Sequence, residues 1–175
     1  TDATWDATLD NTALGNIQRP NGTTTVTAPV GLLNMYEYQA ASEGYIEEDN
    51  WGDIVSTGYL NNGLYWWTLT PYSSSSVRYV NISGYAYSYS PSSRSDGVRP
   101  SINLKSSVRI VDGDGTIDNP YRLNGDNDTN LSGAVLSSRY SGEYIKFGTD
   151  ENNLYRIVSH ENGTGTKIVS AEPLK

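Results

Sequence analysis

The chain has no cysteine and only one histidine, His160, among its 175 residues. Without thiols there is no disulfide, no thiolate zinc centre and no cysteine nucleophile. Lys and Arg number only 12 and are scattered, against 20 Asp and Glu, for a formal charge of −8. Nucleic-acid binding needs clustered cations to neutralise phosphates, so that class of partner is excluded, and the acidic surface favours solubility instead. Long apolar runs are also missing. No stretch approaches the roughly 18 residues of a spanning helix and no charged-then-apolar leader is present, so the sequence reads as a soluble segment with no membrane insertion.

What is there is tyrosine, 14 of them, with abundant Ser, Thr, Asn and Gly. This composition resembles that of extracellular bacterial proteins that avoid cysteine, and a secreted or surface-displayed chain is expected. At 36% hydrophobic content the length suits one domain with a real core. Thr4-Trp5-Asp6-Ala7-Thr8-Leu9 predicts a short helix, with Thr4 as cap and Trp5 and Leu9 on one face. Pro20-Asn21-Gly22 breaks it, and a Thr-rich extended stretch follows. Asn34 and Glu37 form a capping-box pattern that opens a second helix through Met35 and Tyr38, with Gly44 as its stop. Residues 43–53 form an acidic loop around Trp51.

From Tyr59 onward the pattern is that of strands: 64–69, 77–82, 85–89, 98–104, 108–111 and 116–123, each bounded by Gly, Pro, Ser or Asn. Residues 124–133 have the polar composition of a linker. Three further strands follow at 144–147, 154–158 and 167–169, the last two joined through Asn162-Gly163. Two helices and about eight strands predict an α+β class. The organisation expected is a main body at 1–123, a linker at 124–133 and a C-terminal strand segment at 134–175.

Tyr65-Trp66-Trp67-Thr68-Leu69-Thr70-Pro71 and Gly97-Val98-Arg99-Pro100-Ser101-Ile102-Asn103-Leu104 resemble the closing "W-W-L-R-S-P" and "G-V-R-P-A-I-N-L" motifs of a bacterial family of extracytoplasmic domains of unassigned function, related to C-type-lectin-like and formylglycine-generating-enzyme-like folds. Gly142-Glu143-Tyr144-Ile145-Lys146-Phe147-Gly148 with Leu154-Tyr155-Arg156-Ile157-Val158 resembles that family's opening strand pair. The order is displaced, as in a circularly shifted module. The resemblance implies a C-type-lectin-like mixed sheet that the C-terminal strands must complete, in the same subunit or in a neighbour. Tyr144, Ile145, Phe147, Leu154, Tyr155, Ile157 and Val158 are the complementing residues. The leading expectation is completion in trans, which would build a homopolymer, an extracellular filament, pilus or repeat adhesin assembled head-to-tail by donated strands. Completion in cis would leave a monomeric lectin-like module for carbohydrate or a protein ligand.

For that second reading the candidate contacts are Tyr72, Tyr79, Tyr85, Tyr87 and Tyr89. Tyr85, Tyr87 and Tyr89 alternate and so project from one face of a strand, and tyrosine gives large contact area at low entropic cost. The same rings could equally cover the sheet. Asp112, Asp114 and Asp118, with Asp126 and Asp128 beyond, alternate in a way that could gather oxygens around Ca²⁺. Asp and Gly as turn formers fit the same residues. Arg99 is expected to stack on aromatic strands or to pair with an acid such as Asp96. His160 sits beside Glu161 and Asn162 without a nucleophile context, and no G-x-S-x-G is present, so no enzymatic activity is expected.

Overall fold

A computed structural model of the chain describes residues 2–13, 16–41, 47–48, 54–55, 58–125, 128, 132–149, 151–161 and 165–174. Gly44, most of the acidic loop at 43–53, Asp126 with half of the 124–133 spacer, and the Asn162-Gly163 turn lie outside the described residues. The chain forms two compact units, Asp2–Pro100 with Pro173 and Leu174, and Ser101–Glu172.

The first unit begins with a correction. The stretch expected to be a helix at Thr4–Leu9 opens as strand β1 (Ala3–Asp6), antiparallel to β2 (Thr25–Ala28) with Trp5 opposite Val26. Its aromatic and β-branched residues suit a pleated surface better than a helix interior. Trp5 is buried, donates its indole N–H to the Ala28 carbonyl at 2.9 Å, and leaves no room for a Cβ at Gly31. Asp6 then turns the chain, its carboxylate accepting from the Thr8 amide and hydroxyl and from the Gly22 amide.

The helix expected at Asn34 is present as α1 (Met35–Ala40), with the reciprocal Asn34–Glu37 capping box in place. A two-residue pair follows, β3 (Glu47–Glu48) with β4 (Ile54–Val55). A four-stranded sheet in the order β7-β6-β5-β8 comes next, from β5 (Trp66–Pro71), β6 (Val77–Val80), β7 (Ala86–Tyr89) and β8 (Gly97–Val98). The β5–β8 contact is parallel and the others antiparallel. Strand alternation sends Trp66, Val80 and Ala86 to one face, all fully buried. There Tyr38 of α1 meets Trp66 edge-on at 5.4 Å and donates its hydroxyl to the Gly84 carbonyl. Leu174 closes a bridge against Val98.

The second unit is a six-stranded sheet in the order β10-β11-β12-β13-β14-β9, from β9 (Ser101–Leu104), β10 (Ile110–Asp112), β11 (Tyr121–Leu123), β12 (Tyr144–Lys146), β13 (Leu154–Glu161) and β14 (Gly165–Ser170). β11 and β12 run parallel and the other pairs antiparallel. Leu104, Ile110, Tyr121, Leu136, Ile145, Ile157 and Ile168 form its core. Gly165 opens β14 at a φ of +104° and passes the Leu104 carbonyl so closely that a Cβ would collide with it.

The fold is therefore mostly β, with one α-helix among the described residues and its strands divided between separate sheets. This overturns the expected α+β class with two helices and about eight strands in one C-type-lectin-like mixed sheet. The first "helix" is a strand, and the strands at 66–98 and 101–170 belong to different sheets.

Candidate functional site

The outward face of the four-stranded sheet carries a platform of aromatic rings. Register places Trp67 of β5, Tyr79 of β6 and Tyr87 of β7 side by side across three strands. Tyr65 before β5, with Tyr85 and Tyr89 two residues either side of Tyr87, share that face by alternation. Trp67 meets Tyr79 edge-on at 5.6 Å, Tyr79 stacks with Tyr87 at 6.0 Å, and Tyr65–Tyr79 and Tyr85–Tyr87 are each 6.3 Å apart. Trp67 and Tyr79 are buried, whereas Tyr65 and Tyr89 stay 38% and 48% exposed. The platform thus has a closed base and an open rim.

Arg94 locks these rings together. It follows a 3-10 turn at Pro91–Ser93 that returns the chain across the platform. Its guanidinium carbon lies 4.5 Å from the Tyr79 ring centre, 4.6 Å from Tyr65 and 5.7 Å from Tyr89, within the reach of cation–π attraction. One Nη donates to the Tyr79 hydroxyl at 3.0 Å and the other to Asp96 Oδ1 at 2.9 Å. Burial works against the guanidinium charge, but the Asp96 bond and the neighbouring phenols outweigh it and hold its pKa above the ordinary value. Burial pushes the Tyr79 phenol up, outweighing the pull of Arg94, so that ring stays neutral. The second Asp96 oxygen, Oδ2, is buried without a hydrogen-bond partner.

Of the five tyrosines expected as contacts, Tyr79, Tyr85, Tyr87 and Tyr89 come together here. Tyr72 does not: its ring lies against Arg78, 5.0 Å from the guanidinium carbon, and Arg78 belongs to the sheet's buried face. Tyr65, Trp67, Arg94 and Asp96 belong to the platform and were not foreseen in it. The alternation Tyr65-x-Trp67 was available as a signal, but Arg94 joins only because the turn folds back. Asp96 takes Arg94 as its partner, while Arg99 is buried over Trp66 at 5.0 Å and donates to the Leu60 carbonyl.

In the second unit, the strand residues expected to complete a sheet pair within this chain. Tyr144, Ile145 and Lys146 of β12 face Arg156, Tyr155 and Leu154 of β13, and Ile145 also lies opposite Tyr121 of β11. Ile145 and Ile157 are fully buried and Val158 is buried. Phe147 and Tyr155 pack edge-on at 5.7 Å, and Tyr144 lies under Arg156.

His160 has both ring nitrogens engaged, Nε2 with the Arg139 carbonyl at 2.7 Å and Nδ1 with the Thr166 hydroxyl at 2.8 Å. A carbonyl only accepts, so Nε2 donates to it, and in the neutral ring Nδ1 accepts from the Thr166 hydroxyl. Thr166 is itself buried.

Three of the aspartates suggested for Ca²⁺ accept hydrogen bonds within turns. Asp112 accepts from the Gly113 amide, and Asp114 accepts from the Thr116 amide and hydroxyl, which hold its carboxyl below the usual range. Asp128 accepts from the Gly125 amide. Among the described residues, no group of three or more His, Asp or Glu side chains is placed to hold a metal ion.

No curated protein and no solved structure matches the chain. A family model matches residues 12–106, more than half of the chain and every residue of the platform; the chain belongs to the family described as a domain of unknown function, DUF6273.

Proposed function

We propose that the chain is a non-enzymatic, secreted or surface-displayed binding module whose tyrosine platform contacts its ligand. The observation that carries this reading is the open ring array held by Arg94. Tyrosine rings bring large contact area and lose few torsions on binding, and prior ordering by a cation lowers that cost further. The catalytic alternative lacks support, because the lone imidazole is committed to structural hydrogen bonds. The test is a mixed array of glycans and extracellular proteins. The reading expects a signal that Tyr87→Ala removes while the melting temperature is kept. A signal indifferent to Tyr87→Ala and Tyr89→Ala would refute it.

A second reading, a structural subunit that assembles through strand donation, has one observation in its favour. β12, β13 and β14 sit between β11 and β9, so residues 101–123 without them lose the centre of their sheet. Exchange of those strands between copies would build a homopolymer. A ladder in native mass measurements that survives dilution would support it, and a single 19 kDa species would exclude it.

A further inference from the structure

We propose that the platform's ligand is a neutral, extended polysaccharide. This rests on the binding reading above and narrows it by chemistry. The open rings are Tyr65 and Tyr89, 38% and 48% exposed, with Tyr85 and Tyr87 half-buried and 6.3 Å apart between ring centres, over a buried base of Trp67 and Tyr79. A pyranose has one face of C–H groups that lies against an aromatic ring by dispersion, and successive sugars of an extended glycan can repeat that contact from ring to ring. Phenol hydroxyls at the ring edges then meet the sugar hydroxyls. The surround is also polar and uncharged: Ser90, Ser92, Ser93 and Ser95 border the turn that carries Arg94, and Ser90 and Ser92 already share a hydrogen bond at the surface.

Charge decides between ligand classes. Arg94 is the cation of the platform, and it is spent on Asp96 and on the faces of three tyrosines. An anionic polymer would have to break that pairing and approach a chain of net charge −8. A cationic ligand finds no open carboxylate, because the Asp96 side chain is only 7% exposed. A neutral glycan needs neither concession. Arg94 acts here as a positioning residue that fixes the rings, and Tyr65, Tyr85, Tyr87 and Tyr89 make the contact.

The experiment is affinity electrophoresis of the intact chain through gels containing soluble neutral polysaccharides, among them hydroxyethylcellulose, xyloglucan and galactomannan, with pectate and hyaluronan as anionic counterparts. Calorimetry at low and high salt follows for any polymer that retards it. The expected result is retardation by a neutral polymer, unchanged by salt, and weakened roughly tenfold or more by Tyr87→Ala or Tyr89→Ala. Tyr140→Ala, at a 76% exposed ring of the second unit, should leave it intact. Arg94→Lys should weaken binding by a smaller factor, since the charge stays but the planar stacking is lost. Retardation by anionic polymers alone, fading with salt, would overturn the proposed ligand class while leaving the platform as a binding site. Binding to a protein in a Tyr87-dependent way, with no polysaccharide retained, would do the same. Absence of any Tyr87-dependent binding would overturn both this inference and the reading beneath it.

Discussion

Four arginines of the first unit lie against aromatic rings, Arg19 over Tyr36 among them, and the different partners of the other three give them different roles. Arg94 is half open and joins the platform. Arg99 is buried on Trp66. Arg78 is buried over Tyr72, donating Nε to the Asp10 carbonyl at 3.2 Å and Nη2 to the Thr12 carbonyl at 2.6 Å. Burial lowers its pKa and Asp10 partly restores it. Arg78→Met should therefore cost about 2–4 kcal/mol in urea unfolding, because two carbonyls lose their donor together with the ring contact. Asp6 makes a pH-dependent counterpart. Burial opposes its ionisation, but hydrogen bonds from Thr8 and Gly22 prevail and its pKa is lowered. A carboxyl lowered in the folded state stabilises at pH values above its unfolded pKa, and that contribution fades as pH falls through the folded value. Asp6→Asn should lower stability at neutral pH by about 1–2 kcal/mol and flatten the loss between roughly pH 5 and pH 3, as read from unfolding curves across that range.

The short elements are stabilised by local devices of different legibility. The capping box at Asn34 and Glu37 was readable because both partners are three residues apart and need no tertiary help. Asn34→Ala should cost about 1 kcal/mol in thermal unfolding, with α1 losing protection from hydrogen exchange first. Strand β1 was misread for the opposite reason. Trp5 and Leu9 have helical spacing, yet what decides the segment is pairing with Thr25–Ala28 and burial of Trp5 against Gly31, some twenty residues on. The tyrosines of β7 were legible through their two-residue period. Their union with Tyr65 and Trp67 was not, because it depends on the register between β5, β6 and β7, and that of Arg94 depends on a turn. Tyr72 was drawn in by proximity in sequence, but it comes one step past β5 on the parity of Trp66, Thr68 and Thr70, opposite to that of Tyr65 and Trp67.

Across the molecule, the strands at 144–170 are hydrogen-bonded into the sheet of their own chain, and their edges are filled by β11 and β9. Within this chain those strands have neighbours on both sides, so the strand-exchange reading requires the same pairing to form between copies. A turn-borne arginine and a row of tyrosines share one surface, inside the stretch that matches the family model. The most direct measurement is a side-by-side titration of the wild-type chain, Tyr87→Ala and Tyr140→Ala with one bound ligand, followed by calorimetry. The account predicts that Tyr87→Ala alone loses affinity, by roughly tenfold or more; equal affinities for all three proteins, with their folds intact, would contradict it.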